Sequence, residues 1–270
     1  MPKIVDAFTF YNEIQLLSYR LHLLYDVVDV FIIVEANHTF MGTPKTSLFQ
    51  EQVHLFEKFK SKIVHVIVDN LPCLPPDVSK GEQWLNEKHQ RNCIDVGLQQ
   101  LALDKEDFIV ITDLDEIPDP RTLSLIKQGS IPVQFSILLM DLYYYNLCTQ
   151  YEKKWFHAKI ISYGHYKDLN KVCDTLRLTF DCPIIPRGGW HLSYFGSPSF
   201  VKHKTETTPH QEFNNAMTRD LSVIEERMKQ GKDAYNRGVD PIHIPIVKNT
   251  YLPILFEVFL INFATPHIIN

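Results

Sequence analysis

The stretch "DFIVITDLDEIPDP", residues 107–120, decides the reading of this chain. An apolar run ends on Asp113, Asp115 and Glu116, three acids within four residues, and Pro118 follows at once. Carboxylates this close repel one another, so the segment holds either a cation or a solvated turn. A lone Asp-x-Asp tripeptide favours the turn. Its place at the end of a wholly apolar strand favours the cation, because a turn in water needs no third adjacent acid. A hard oxygen site of this kind suits magnesium or manganese, which commonly take one or two carboxylates together with substrate phosphates. An ion there relieves the repulsion and can neutralise a diphosphate leaving group.

Working outward, apolar runs alternate with helical periodicity through the first 130 residues. Strands are expected at 3–11, 28–36, 63–69 and 107–113. Helices are expected at 13–26, 47–62 and 82–103, with a proline-rich loop at 70–81. Such repetition implies an α/β fold whose central sheet is mostly parallel and flanked by helices, with ligands bound beyond the carboxyl ends of the strands. Asn12 and Glu13 follow the first strand and Glu35 ends the second, so they share that edge with the acid cluster and could hydrogen-bond a uracil or ribose. Glu13 reads equally as a first-turn acid favoured by the helix dipole. Lys45 and Arg91 are the nearest cations for diphosphate oxygens, although Arg91, in a charge-rich helix, reads equally as half of an exposed salt bridge.

Beyond residue 130 the pattern is less regular. Long, antiparallel strands are expected at 133–148 and 155–166. "GGWHLSYFG" (188–196) follows a Gly-Gly bend, and a helix is expected over 220–231 with Asp220 as N-cap and Gly231 as its stop. Residues 251–269 read as a packed terminal helix, since Pro253, Glu257, Asn262 and Pro266 interrupt them too often for a membrane span. In "LYYYN" (142–146) a strand would put Tyr143 and Tyr145 on one face and Tyr144 on the other, either to stack on a sugar or to pack in the core.

Other classes are disfavoured. The net charge is -5 and no basic block occurs, which argues against nucleic acid as a partner. Five cysteines without a CxxC pair give no zinc spacing and fit a reducing compartment. The N-terminus shows no apolar leader, so a cytoplasmic protein without a membrane span is expected. Neither GxGxxG nor GxxxxGK[ST] is present, and no GxSxG elbow is found.

The segments "FYNEIQLLSYRLHLLYDVVDVFIIVEANHTFMGTPK" (10–45), "IVITDLDEIPDP" (109–120), "GGWHLSYFG" (188–196) and "HQEFN" (210–214), in this order, resemble the glycosyltransferases of family 17, and in particular their short microbial or viral members. The resemblance runs from about residue 4 to about residue 260. It implies one GT-A-like domain over 1–270, with a nucleotide-sugar half (1–130) and an acceptor half (131–270). It further implies a UDP-sugar donor, most plainly UDP-N-acetylglucosamine, a glycan or glycoside acceptor, and inverting transfer assisted by Mn²⁺ or Mg²⁺. For a viral member the compartment would be the host cytoplasm or the virion. On this resemblance Asp113 faces the ribose or the ion, Asp115 is the principal metal ligand with Glu116 beside it in the catalytic cluster, and His191 reaches the metal or diphosphate from the second half.

The acceptor's proton needs a base within about 3 Å. Glu212, in "HQEFN", is the first candidate, with Asp181 and Asp141 as alternatives. His191, beside Trp190, also reads as a core histidine, and His165 and His210 are weaker candidates. Two other functions share these features. One is a nucleotidyltransferase or sugar-phosphate enzyme with an acidic metal site. The other is a non-catalytic carbohydrate-binding protein on the same fold.

Overall fold

The computed structural model describes residues 1–170 and 172–264. The chain packs as two compact units, the first Met1–Met140 with Phe156–Gly189, the second Asp141–Trp155 with the residues from Trp190 onward.

The first unit opens with β1 (Ile4–Phe10), α1 (Ile14–Leu24), β2 (Val30–Ala36), α2 (Leu48–Glu51), β3 (Ile63–Val68), α3 (Glu82–Asn92), α4 (Ile94–Leu98) and β4 (Phe108–Asp113). The four strands are parallel in the order β3-β2-β1-β4. Their apolar residues, among them Val5, Ala7, Ile32, Val34, Ile109 and Ile111, are fully buried, as expected where a parallel sheet is covered on both faces. The register sets Thr9 beside Asp113 and Phe10 beside Glu35, so the strand ends carry their polar residues to one edge. The α/β architecture expected from the sequence is therefore present.

The chain continues through β5 (Glu116–Pro118), α5 (Pro120–Lys127) and β6 (Phe135–Tyr144), then β7 (Thr149–Gln150) of the second unit. It returns to the first with β8 (Lys159–Ser162), α6 (Tyr163–Leu169), α7 (Cys173–Arg177) and the start of β9 (Ile184–Ser193). β8 lies antiparallel to β4 and to the start of β6. Residues 131–140 and 156–189 thus pack with the first four strands, beyond the expected boundary at 130.

Several elements differ from expectation. The helix expected over 47–62 is one α-helical turn followed by a 3₁₀ helix, Val53–Lys62, whose buried Phe56 and Phe59 recur every third residue, the 3₁₀ period. The helix expected over 82–103 breaks at Cys93, whose N–H is shared between the carbonyls of His89 and Gln90, and ends at Leu98. The strand expected over 155–166 stops at Ser162, because the Ser162 hydroxyl accepts from the His165 N–H and caps α6. Gly188-Gly189 do not end the strand: β9 continues through them, with Arg187 at φ 53° just before. A Cβ on Gly188 would lie 2.5 Å from the Leu138 carbonyl carbon, and one on Gly189, at φ +145°, 2.1 Å from the Ile117 oxygen. The two glycines let three backbones approach closely.

The second unit contains the end of β6, β7, the rest of β9, α8 (Pro198–Thr207), α9 (Leu221–Gln230), β10 (Ile242–His243) and α10 (Phe256–Phe259). Asp220 accepts from the N–H groups of Ser222 and Val223, and Gly231 ends α9 in the left-handed region, as read from the sequence. The tyrosine alternation fails because Tyr145 takes φ 64° and leaves the strand. Tyr144 and Tyr145 then pack together with Tyr151 and Tyr194, all buried, so these rings are core. The single terminal helix is replaced by α10 and a 3₁₀ turn, Ile261–Phe263, while 265–269 lie outside the described residues. Among the described residues no helix is long and apolar enough to cross a membrane.

Gly189→Ala should lower unfolding free energy by roughly 2–4 kcal/mol, read by urea titration, because it adds both a positive-φ strain and a backbone clash. A loss below about 0.5 kcal/mol would show that β9 shifts freely.

Candidate active site at the ends of β1 and β4

The turn after β4 is built on a buried ion pair. Asp6 of β1 and Arg20 of α1 are both 0 % exposed. Arg20 Nη2 and Nε donate to the two Asp6 carboxylate oxygens at 2.6 and 2.8 Å. Nη1 then donates to the carbonyls of Asp113, Leu114 and Glu116 at 2.9, 3.0 and 2.9 Å, and Nη2 to the Thr112 hydroxyl at 2.6 Å. The guanidinium also lies 4.2 Å over the Phe8 ring centroid. One planar fork thus fixes the backbone of the whole Asp-Leu-Asp-Glu turn, which a flexible ammonium could not do.

Two more arginines hold the carboxylates. Arg177 of α7 makes a two-pronged bridge to Glu116, which is fully buried, and donates to Asp113 Oδ2 at 2.7 Å. Arg91 of α3 donates to Asp113 Oδ1 at 3.2 Å and to Asp174 at 2.5 Å, and lies 3.3 Å from Glu87. Thr9 donates to Asp113 at 3.0 Å, and the Asp113 N–H to Glu116 Oε2 at 3.1 Å. Burial pushes the Asp113 carboxyl up, but Arg177 and Arg91 outweigh it and hold the group well below the usual carboxylate range. The side chain of Asp113 stays 28 % exposed at the strand end. Asp115 is 7 % exposed, and its charge is close enough to raise Asp113.

The repulsion between Asp113 and Glu116 is therefore relieved by guanidinium groups, while the charge of Asp115 still acts against Asp113. Among the described residues no three His, Cys, Asp or Glu side chains gather into a metal-binding cluster. Asp113 and Glu116 place oxygens on arginine donors. Such a cluster suits an ion that arrives with phosphate oxygens and takes one carboxylate from the protein, better than an ion held by protein ligands alone.

Other residues singled out in the sequence fall as follows. Glu35 is fully buried and accepts from Lys45 Nζ at 2.8 Å, the Ser47 hydroxyl at 2.7 Å and the N–H groups of Leu48 and Phe49 at 2.8 and 3.2 Å. These bonds anchor the start of α2, and they also engage Lys45. Asn12 and Glu13 precede α1, where the Glu13 carboxylate accepts from the Asn12 N–H at 3.2 Å. Arg91 is buried, in place of the exposed salt bridge that its charged helix allowed. In the second unit, His191 is buried with its ring 4.4 Å from that of Trp155, Glu212 is half exposed with its carboxylate 2.7 Å from His210 Nδ1, and Asp141 is bonded by Gln150 and Lys154. Asp181 is exposed, and His165 meets Gln134 at 3.3 Å.

Asp6, Arg20, Asp174 and Arg177 escaped the sequence reading. Asp6 and Arg20 did leave a signal, since each is a lone charge on an otherwise apolar face of its element. Arg177 left none, because the two acids it joins, Asp113 and Glu116, lie 64 and 61 residues away in the sequence.

Lys159 of β8 is fully buried, and its ammonium donates to the carbonyls of Phe156 and His157 at 2.5 and 3.2 Å. Burial first, and then the charge of Arg177, lower its pKa to about 8. The folded chain thus sheds a proton that the unfolded chain keeps up to its normal lysine pKa. The Lys159 contribution to stability should accordingly rise between pH 8 and 10.5. The stability of the wild type relative to Lys159→Met, measured by denaturant titration from pH 7 to 10, should increase with pH; a constant difference would contradict this. Arg20→Met should cost about 3–5 kcal/mol by the same method, because it leaves Asp6 buried and unpaired. A change under 1 kcal/mol would remove the clamp from the account.

Comparison with known proteins identifies the family. Residues 1–236 match the model of glycosyltransferase family 17. The chain is similar to beta-1,4-mannosyl-glycoprotein 4-beta-N-acetylglucosaminyltransferase from Rattus norvegicus and from Homo sapiens, 31% identical over 120 residues in each case. That alignment covers 43% of this chain and 22% of each relative, so the chain spans less than a quarter of the length of the curated relatives it matches. With the match extending across both the acid turn and its arginine partners, the chain belongs to glycosyltransferase family 17.

Proposed function

We propose that this protein transfers N-acetylglucosamine from UDP-N-acetylglucosamine to a saccharide hydroxyl, with inversion and with the help of a divalent cation. The observation that carries this reading is the acid turn at the carboxyl end of β4, fixed by Arg20 through its backbone and by Arg177 and Arg91 through its side chains. Ligands of open α/β sheets bind at that edge. The names of the relatives supply the sugar.

In this reading Asp113 and the residues at the end of β1 face the ribose. Asp115 holds the ion, which would be Mn²⁺ or Mg²⁺ and would neutralise charge on the departing diphosphate. Arg177 and Arg91 keep Asp113 ionised, so the edge presents negative charge without having to be deprotonated on binding. Glu212 takes the proton of the acceptor oxygen as that oxygen attacks the anomeric carbon and the bond to the diphosphate breaks. Burial raises the Glu212 carboxyl, yet the bond to His210 lowers it overall, so it is ionised and able to accept a proton near neutral pH.

UDP release from UDP-N-acetylglucosamine, with a panel of simple glycosides, tests the proposal. Release should fall to background with EDTA and return with Mn²⁺. Asp115→Ala should lose at least 100-fold in turnover with an unchanged melting temperature. Near-normal activity of that variant would end the metal assignment, and release of pyrophosphate from a nucleoside triphosphate in its place would favour nucleotidyl transfer.

A further inference from the structure

We propose that a cavity of about 410 Å³ in the second unit is a saccharide subsite. It lies where the end of β6, β7 and the chain following β10 meet, and is lined by Asp141, Gln150, Lys154, Lys248, Asn249 and Tyr251 among others. The inference rests on the transfer reading above and deepens it, since it names where the acceptor sugar is held.

Three observations carry it. The first is charge. The ionisable lining groups are Asp141, Glu152, Lys154 and Lys248, two of each sign, so the cavity favours neither a phosphate nor a metal ion. Its size is that of a small-molecule site, and its lining is too polar for a lipid or an aliphatic ligand. A neutral ligand rich in hydroxyl groups satisfies both conditions.

The second is that its polar groups are fixed in place. Asp141 Oδ2 accepts from Gln150 Nε2 and Oδ1 from Lys154 Nζ, each at 2.7 Å. A carboxylate has about four acceptor positions, so a pair of sugar hydroxyls can still donate to it. Asn249 is held at both ends of its amide, with Nδ2 donating to the Tyr143 hydroxyl at 2.8 Å and Oδ1 accepting from the Tyr251 N–H at 2.9 Å. Side chains held this way lose little freedom when a ligand binds.

The third is an anchored aromatic ring. Tyr251 sits 5.0 Å from the Trp190 ring centroid, and its carbonyl accepts from the Trp190 indole N–H at 2.9 Å. Tyr251, 8 % exposed, thus forms a rigid part of the wall beside a planar carboxylate and an amide, the partners that the hydroxyls of a pyranose need.

Saturation-transfer NMR on the full chain, with the methyl glycosides of mannose, galactose and N-acetylglucosamine as probes and UDP as competitor, tests the proposal. At least one glycoside should receive saturation and persist when UDP is added. Asp141→Asn should weaken that glycoside at least tenfold, with UDP affinity unchanged. Lys248→Met, at an exposed position where folding is not at stake, should weaken it two- to fivefold. Displacement of the glycoside by UDP would overturn the subsite and make the cavity a nucleotide site. Glycoside binding unaffected by both variants would overturn it as well, and so would no glycoside binding alongside working transfer, although the transfer reading would then stand. Binding that is sensitive to Asp141→Asn in a protein that releases no UDP from any donor would support the subsite and end the transfer reading.

Discussion

The Asp6–Arg20 pair is the constraint on which the candidate site depends. A strand residue and a helix residue, both without solvent, give up hydration that only a complete set of bonds can replace. Arg20 has five N–H donors, and its bonds to Asp6, Thr112 and the carbonyls of Asp113, Leu114 and Glu116 engage its fork fully. The carbonyls of a tight turn point inward here because a buried cation attracts them. Of the turn's side chains Leu114, Asp115 and Glu116 are buried, and Asp113 keeps its carboxylate part-exposed where β1 and β4 end.

The second layer of charge follows from the first. With its backbone fixed, the turn brings Asp113 and Glu116 close enough for one Arg177 to join them, and Arg91 ties Asp113 to Asp174 on α7. The acids are ordered before any ligand arrives. In a glycosyltransferase such preorganisation means that a ligand reaching this edge finds the carboxylates already aligned.

Much of this was legible in the residues. The four parallel strands show as nearly continuous apolar runs, and the acid cluster stands out in the sequence at the end of the fourth, where the structure places the candidate site. α9 was legible from its caps. What was not legible depended on contacts between distant segments. Gly188 and Gly189 read as a bend because local rules associate paired glycines with turns, whereas the structure uses them to bring β5, β6 and β9 together. Glu35 read as a ligand contact because it ends a strand, yet a loop ten residues on folds back over it. The repulsion among Asp113, Asp115 and Glu116 read as calling for a metal cation or a solvated turn, and a sequence cannot show that α3 and α7 deliver arginines to Asp113 and Glu116.

The chain's path has a consequence for how the first unit can come into being. The first unit is interrupted by Asp141–Trp155 and is completed only by Phe156–Gly189. During synthesis the strands and the acid turn leave the ribosome well before Arg177 does. Until then Glu116 has no guanidinium to receive it and β4 has no β8 along its side. Nascent chains halted short of residue 159 would therefore hold an unsealed edge along β4, those halted short of residue 177 would leave Glu116 without its guanidinium, and because Asp141–Trp155 interrupts the first unit no single truncation point isolates it.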